Sequence, residues 1–297
     1  MFHLRTARRR AREVAVREAL CLLSDLGATA PTGGPLSERG GVFWVSLPHE
    51  HVVTAVPRLD RLGYTSAVDL VQPAPRGAPG SAAGALVRWH GQLCRLVRLY
   101  EEDAEALRAL APDRRTFLLE TAGGQVRPVA GYRGDGTTLG RRGLAVCDAR
   151  MLVNLVFPGA PGAFLDPFAG TGGIAREAVA GGWRVATCDL DPALRHGLCA
   201  LGAGHHVCDA RDMPFGAGTV DGIATEPPYD PGTASLLPAA LREMHRVLRP
   251  GGRLAILCAA WQRDLLRETA AALGLRPLLE APIDRRGMDV AVLAWER

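Results

Sequence analysis

The chain contains no lysine: all 35 of its Lys+Arg positions are arginine. Arginine suits phosphate and base recognition because its planar fork presents paired donors. GC-rich coding produces the same bias, so the choice of residue says little. No disulfide framework is present. The seven cysteines (Cys21, Cys94, Cys147, Cys188, Cys199, Cys208 and Cys258) include no C-x-x-C pair and no zinc-like spacing with histidine. An odd, scattered set, several inside expected strands, reads as reduced thiols in a core. His205 and His206 beside Cys208 and Asp209 do not suggest a metal site, because neighbours in a strand point to opposite faces. No metal is expected. No apolar run approaches the length of a membrane span. The arginine-rich N-terminus is interrupted at Arg17 and Glu18, where a secretory signal needs an unbroken apolar stretch. A cytoplasmic protein without a membrane partner is the expectation. No internal repeat is present, which argues against a solenoid.

What the chain does have is material for a core. Hydrophobic residues make up 47% of its 297 positions, enough to bury a core without staples. That length allows one large domain or two moderate ones. Charge is unevenly placed. Residues 1–100 hold 13 arginines against 7 acidic residues, a net of +6, and the remainder is net −2. A basic leading segment fits a polyanionic partner. Arg5, Arg8, Arg9, Arg10, Arg12 and Arg17 fit a phosphate-binding face and a solvated helix surface equally well.

Two glycine-rich stretches, 73–84 and 123–143, divide the chain. Before the first, strands are expected at 2–5, 41–47 and 67–71, with helices at 7–26 and 49–62, the second kinked or split by Pro57. That order suggests a small α+β, ferredoxin-like module. Hairpins are expected at 85–100 and 116–132, with a helix near 102–110 between them. After the second stretch a helix at 147–157 leads into strand–helix alternation. Strands are expected near 163–168, 184–190, 205–209, 220–226, 253–259, 276–281 and 289–295. Helices are expected near 172–181, 192–201, 234–248 and 262–273. Such alternation signals a parallel, doubly wound sheet with its ligand site at the carboxyl ends of the strands. The expected division is an α+β N-terminal domain over 1–120, a linker over 121–146 and an α/β domain over 147–297.

Four short segments carry the chemistry. In D-P-F-A-G-T-G-G, 166–173, a strand turns into a helix. Asp166, Pro167, Phe168, Gly170, Thr171 and Gly172 are its candidate cofactor-binding residues. Glycine lets the backbone turn sharply and approach a ligand closely, and the helix start offers free amides. The spacing differs from the G-x-G-x-x-G of NAD-dependent dehydrogenases. Asp189 ends the next strand, where a carboxylate can accept two hydrogen bonds from a ribose diol. Asp191-Pro192 opens a helix well and is left with capping. Asp209 and Ala210 end the third strand, where the carboxylate either takes an adenine amino group or is an ordinary loop aspartate.

The fourth segment, D-G-I-A-T-E-P-P-Y over 221–229, bears on the reaction. Its strand ends in Glu226, Pro227, Pro228 and Tyr229, the candidate catalytic residues. A Pro-Pro step fixes the backbone and leaves carbonyls that no amide of its own occupies. Those carbonyls and the Glu226 carboxylate can accept both hydrogens of a planar amino group, so positioning leaves its lone pair facing an electrophile. Tyr229 is suited to stack on the ring bearing the amine.

Together with H-R-V-L-R-P-G-G (245–252), these segments resemble class I S-adenosylmethionine-dependent methyltransferases across residues 147–297. D-P-F-x-G-T-G-G combined with an acid- or amide-Pro-Pro-aromatic loop resembles the nucleic-acid amino-methyltransferases, and most of all the THUMP-linked tRNA guanine-N2 methyltransferases. The resemblance implies a Rossmann-like seven-stranded sheet preceded by a smaller α+β domain. It also implies S-adenosylmethionine as cofactor and an exocyclic amino nitrogen of RNA, guanine N2 in tRNA, as acceptor. A small aminated metabolite and a DNA amino group are the alternatives. Glu226 stands where the family carries Asp, Asn or Ser, and the N-terminal part is short for a complete THUMP domain beside the ferredoxin-like module.

Overall fold

The structure, a computed structural model, describes residues 1–7, 11–31, 41–74, 85–89, 92–101, 117–121, 123–129, 143–285 and 288–297. The helix expected near 102–110 and the arginines Arg8, Arg9 and Arg10 lie outside the described residues. The N-terminal part comprises β1 (Phe2–Thr6), α1 (Arg12–Leu22), β2 (Val42–Val45), α2 (Val52–Leu59), β3 (Thr65–Pro73), β4 (Leu86–Trp89) and β5 (Gln92–Glu101). Its sheet runs β2-β1-β3-β5-β4 with every neighbouring pair antiparallel. β2 and β3 therefore run parallel on either side of β1, with α2 between them in the chain, which is a split β-α-β unit. Pro57 does not break α2. The carbonyl that loses its intrahelical donor belongs to Val53, a residue 83% exposed, so water can replace the bond.

A hairpin of β6 (Phe117–Glu120) and β7 (Val126–Val129) follows, so a strand occupies part of the expected linker. The remaining elements are α3 (Val146–Leu155), β8 (Ala163–Asp166), α4 (Gly173–Ala180), β9 (Arg184–Asp189), α5 (Arg195–Ala200), β10 (Gly204–Val207) and β11 (Val220–Thr225). They continue with α6 (Leu237–Val247), β12 (Leu248–Ala259), α7 (Arg263–Ala272), β13 (Arg276–Arg285) and β14 (Met288–Glu296). The seven-stranded sheet runs β10-β9-β8-β11-β12-β14-β13. Its first five strands are parallel, and β14 is antiparallel to both neighbours. Helices cover both faces, which is why Leu254–Ala259 is buried without alternation. Strand order reverses between β8 and β11, so a crevice opens at their carboxyl ends.

One hydrophobic core joins the two parts. It runs from Phe2, Leu4 and Phe43 through Tyr64, Met151 and Leu155 to Ala255 and Val292. The close approach is at Gly63, where an added Cβ would lie 2.2 Å from the Cys147 carbonyl oxygen. Buried Glu18 of α1 accepts the amides of Gly63 (2.6 Å) and Tyr64 (2.9 Å) and the side-chain amide of Asn154 on α3 (2.8 Å). Burial pushes its carboxyl up to about 7 against the pull of those donors. Arg61 donates to the carbonyls of Ala180 and Glu177 at the end of α4. On the far side, Leu119 of the β6–β7 hairpin packs with Ala169, Leu194, Leu198 and Leu201.

Candidate functional site

The crevice between β8 and β11 is closed at its base by one hydrogen bond. Thr225 Oγ1 at the end of β11 donates to Asp166 Oδ1 at the end of β8, 2.8 Å away. The Phe168 amide donates to the same oxygen at 3.3 Å. Burial pushes the Asp166 carboxyl up to about 7, while Thr225 and Phe168 act in the opposite direction. The following turn uses its glycines differently. Gly172 (φ +81°) has no room for a side chain, since a Cβ would meet Leu201 Cδ1 at 2.6 Å and Leu198 Cδ2 at 2.9 Å. Gly170 (φ +49°) faces open space, with nothing within 4 Å of an added Cβ. Pro167 is buried under the turn, and Phe168 and Thr171 are half-buried on it.

Asp189 is built into this turn. Its Oδ2 accepts the Gly170 amide and its Oδ1 accepts the Asp191 amide, each at 2.9 Å. Each oxygen keeps a second lone pair for a hydroxyl. Asp191 caps the next turn by accepting the Ala193 amide at 2.8 Å. Leu190, between them, is 68% exposed and offers an apolar surface beside the carboxylate; an unremarkable position inside D-L-D carried no sequence signal for it. Asp209 is engaged locally. Arg211 donates to it through its amide, Nε and Nη2, with Nη2 at 2.6 Å, and this pairing holds the carboxyl below its usual range. Ala210 is buried behind it. An opening over Gly170, free lone pairs on Asp189 and exposed Leu190 suit a nucleoside-bearing cofactor.

The acceptor side begins directly after Thr225. Glu226 Oε1 accepts from the Tyr229 hydroxyl at 2.6 Å and from Arg285 Nη1 at 2.7 Å. Arg285, the last residue of β13, also reaches Asp148 of α3, with Nε 3.3 Å from Oδ2. Asp148 is fully buried and its Oδ1 accepts the Tyr64 hydroxyl at 2.7 Å. Burial and the adjacent Glu226 carboxylate raise the Tyr229 phenol, so it is a donor here. One expectation is corrected. The Pro228 carbonyl is not free, because it accepts Gln262 Nε2 at 2.8 Å and Thr233 Oγ1 at 3.2 Å. Gln262 is held for this by the Ala259 amide, which donates to its side-chain oxygen. Among the described residues, no donor reaches the Pro227 carbonyl.

Sequence spacing thus brings Asp166, Gly170 and Asp189 together on one side of the crevice, and Glu226 and Tyr229 on the other. Arg285, Asp148, Tyr64 and Gln262 escaped it. Arg285 sits in I-D-R-R-G-M, which reads as an ordinary hairpin turn, and the other three as core or cap residues. His205 Nδ1 lies 3.0 Å from Thr187 Oγ1 on the neighbouring strand. No helix among the described residues is long and apolar enough to cross a membrane.

Residues 165–256 match a protein-family model described as a methyltransferase domain. No curated protein matches the chain. Among solved structures, the chain is similar to TrmN from Thermus thermophilus over 100% of its own length and 99% of that chain, at 19% identity and a TM-score of 0.52. It is also similar to the 1,6-didemethyltoxoflavin-N1-methyltransferase of Burkholderia thailandensis. There identity is 20%, the TM-score is 0.42, and 50% of this chain and 77% of that chain are covered. A geranyl diphosphate C-methyltransferase from Streptomyces coelicolor A3(2) matches at 16% identity and a TM-score of 0.43, over 52% of this chain and 79% of that chain.

Proposed function

We propose that this S-adenosylmethionine-dependent methyltransferase transfers its methyl group to an exocyclic amino nitrogen of an RNA nucleobase, with guanine N2 of tRNA as the acceptor. The chain carries a class I methyltransferase domain on its seven-stranded sheet, and S-adenosylmethionine is its cofactor. The observation that carries the acceptor reading is the 2.8 Å bond from Thr225 to Asp166. It sets the loop Glu226-Pro227-Pro228-Tyr229 against the glycine turn, as transfer between neighbouring groups requires.

Bound over Gly170, S-adenosylmethionine supplies an electrophilic methyl group on a sulfonium. In this reading the turn from Asp166 to Gly172 gives close backbone approach, Asp189 accepts the ribose hydroxyls, and Leu190 lies against the adenine face. Asp209 and Ala210 meet its edge. Glu226 Oε2 and the Pro227 carbonyl accept the two hydrogens of the acceptor amine, which leaves its lone pair aimed across the crevice. Tyr229 flanks the ring. Residues 1–120 receive the RNA, residues 121–146 connect, and residues 147–297 carry out the transfer. The net +6 of the first hundred residues supports a polyanionic partner, and the full-length likeness to TrmN supports an N-terminal part of the same kind.

A second reading is N-methylation of a small aminated metabolite. The longer Glu226 in place of Asp, Asn or Ser supports it, as does the way the N-terminal part shares a core with the catalytic part. One experiment separates the two. Methyl-labelled S-adenosylmethionine is supplied with bulk unmodified tRNA, duplex DNA or a small-molecule extract. Label recovered as N2-methylguanosine from tRNA supports the first reading, and label in small molecules alone overturns it.

A further inference from the structure

We propose that Arg285 is a positioning residue for Glu226, and that its aim is set by buried Asp148 and, through Asp148, by Tyr64 of the N-terminal part. The inference rests on the acceptor role given to Glu226 above. Four groups from four separate stretches of chain form one chain of contacts. The Tyr64 hydroxyl donates to Asp148 Oδ1 at 2.7 Å, and Asp148 Oδ2 faces Arg285 Nε at 3.3 Å. Arg285 Nη1 then donates to Glu226 Oε1 at 2.7 Å and lies 3.3 Å from the Tyr229 hydroxyl. The guanidinium side chain is 16% exposed, Glu226 22% and Asp148 0%. Water therefore screens these charges weakly.

The geometry explains how a glutamate can serve where a shorter residue is usual. With one oxygen claimed by both Arg285 and Tyr229, the longer side chain has a fixed direction and its other oxygen is left for the acceptor amine. A planar fork can hold two carboxylates at once through separate nitrogens, and an ammonium cannot do so in the same geometry. Without the guanidinium, Glu226 Oε1 and Asp148 Oδ2 lose the cation that links them. Tyr64 adds a consequence for architecture. It belongs to the segment, 62–64, that docks the N-terminal part on α3, so docking and the aim of the catalytic loop are coupled through a single buried carboxylate.

The test is a double-mutant cycle on the full chain, read as methyl transfer to unmodified tRNA or to the small-molecule extract, whichever takes label. Arg285→Met should lower kcat by about tenfold to a hundredfold, the scale of an ångström-level misplacement, with cofactor affinity unchanged. In a Glu226→Ala background the same change should cost nothing further, because its effect runs through Glu226. Arg285→Lys should recover only part of the loss, and guanidinium ion added to Arg285→Ala should recover some activity. Tyr64→Phe should lower kcat in the same direction and less. Multiplicative losses in the double variant, or cofactor affinity falling in step with kcat, would overturn the proposal. If Glu226→Ala itself keeps full turnover, the acceptor reading fails first. The crystal structure of Arg285→Met then decides the positioning claim alone: Glu226 leaving its place supports it, and Glu226 unmoved overturns it.

Discussion

The Gly170 amide donates to Asp189 Oδ2 at 2.9 Å, so the glycine turn after β8 and the acid at the end of β9 are one structural unit. The carboxylate holds the turn in shape while its unused lone pairs stay available to a ligand. Asp189→Ala should therefore damage cofactor binding twice, by loosening the turn and by removing the proposed diol acceptor. Hydrogen bonds to a charged group contribute about 1.5–3 kcal/mol, so affinity should weaken by about tenfold to a hundredfold. Titration calorimetry with S-adenosylmethionine measures this. An unchanged affinity would remove Asp189 from the site.

The two glycines of that turn should separate binding from stability. Gly172→Ala adds a Cβ 2.6 Å from Leu201 Cδ1 in a positive-φ conformation, so packing and backbone both suffer. A loss of about 1–3 kcal/mol of folding stability is expected. Gly170→Ala has open space around it and only the backbone term, so its stability loss should be about 1–2 kcal/mol or less. Its cofactor affinity should suffer more than its stability does. Chemical denaturation and calorimetry on both variants give the comparison. Equal ratios of the two losses would contradict it.

These residues were legible because the signals are local. Asp166, Gly170, Asp189 and Glu226 all stand at strand ends, and a parallel sheet brings successive strand ends to one edge whatever the rest of the chain does. Arg285 and Asp148 show the opposite case. They lie 59 and 78 residues from Glu226 in sequence. What brings them together is the docking of α3 and the antiparallel pairing of β13 with β14, neither of which leaves a periodic trace. Pro228 was misread for the same reason, since its partner Gln262 comes from the short turn between β12 and α7. In the N-terminal part the alternation gave strands and helices in the right order, yet the sheet order depended on pairing partners that no local pattern encodes.

Asp166 sets a pH dependence whose sign can be worked out. Its carboxyl is pushed up to about 7 in the folded chain from an ordinary 3.8. Between those values the folded protein holds a proton that the unfolded chain has released. Stability from this group is full below about pH 4 and is lost as pH rises through about 7, by at most about 1.4 kcal/mol per pH unit. Asp166→Asn keeps Oδ1 as acceptor for Thr225 and Phe168 and removes the titration. Thermal unfolding at pH 5 and pH 8 should show a smaller drop in Tm for the variant than for the wild type. Identical drops would refute the assignment.

A continuous core predicts one unfolding transition for the whole chain rather than two. Gly63→Ala probes the join directly. The added methyl would sit 2.2 Å from the Cys147 carbonyl oxygen and 2.9 Å from the Met151 amide nitrogen, both backbone atoms that cannot turn aside. A stability loss of about 3 kcal/mol or more is expected. It should be accompanied by reduced turnover, because Tyr64 and its bond to Asp148 move with Gly63. Scanning calorimetry would show a single, shifted peak. Two resolved peaks in the wild type would mean that the parts unfold independently.

Arg211 and Asp209 offer a test of what an exposed ion pair is for. The pair is bidentate, with Nε 3.0 Å from Asp209 Oδ1 and Nη2 2.6 Å from Oδ2, yet Arg211 is 54% exposed. Water screens an exposed pair and leaves it little net stabilisation, so Arg211→Ala should hardly move stability. Its effect on cofactor affinity should stay within about fivefold, because the carboxylate proposed to meet the adenine edge remains. Asp209→Ala removes that carboxylate and should weaken affinity by about tenfold or more. If the aspartate is only a partner for its own arginine, the two variants will match in affinity. A clear difference, with the aspartate variant the weaker, would assign Asp209 to the cofactor.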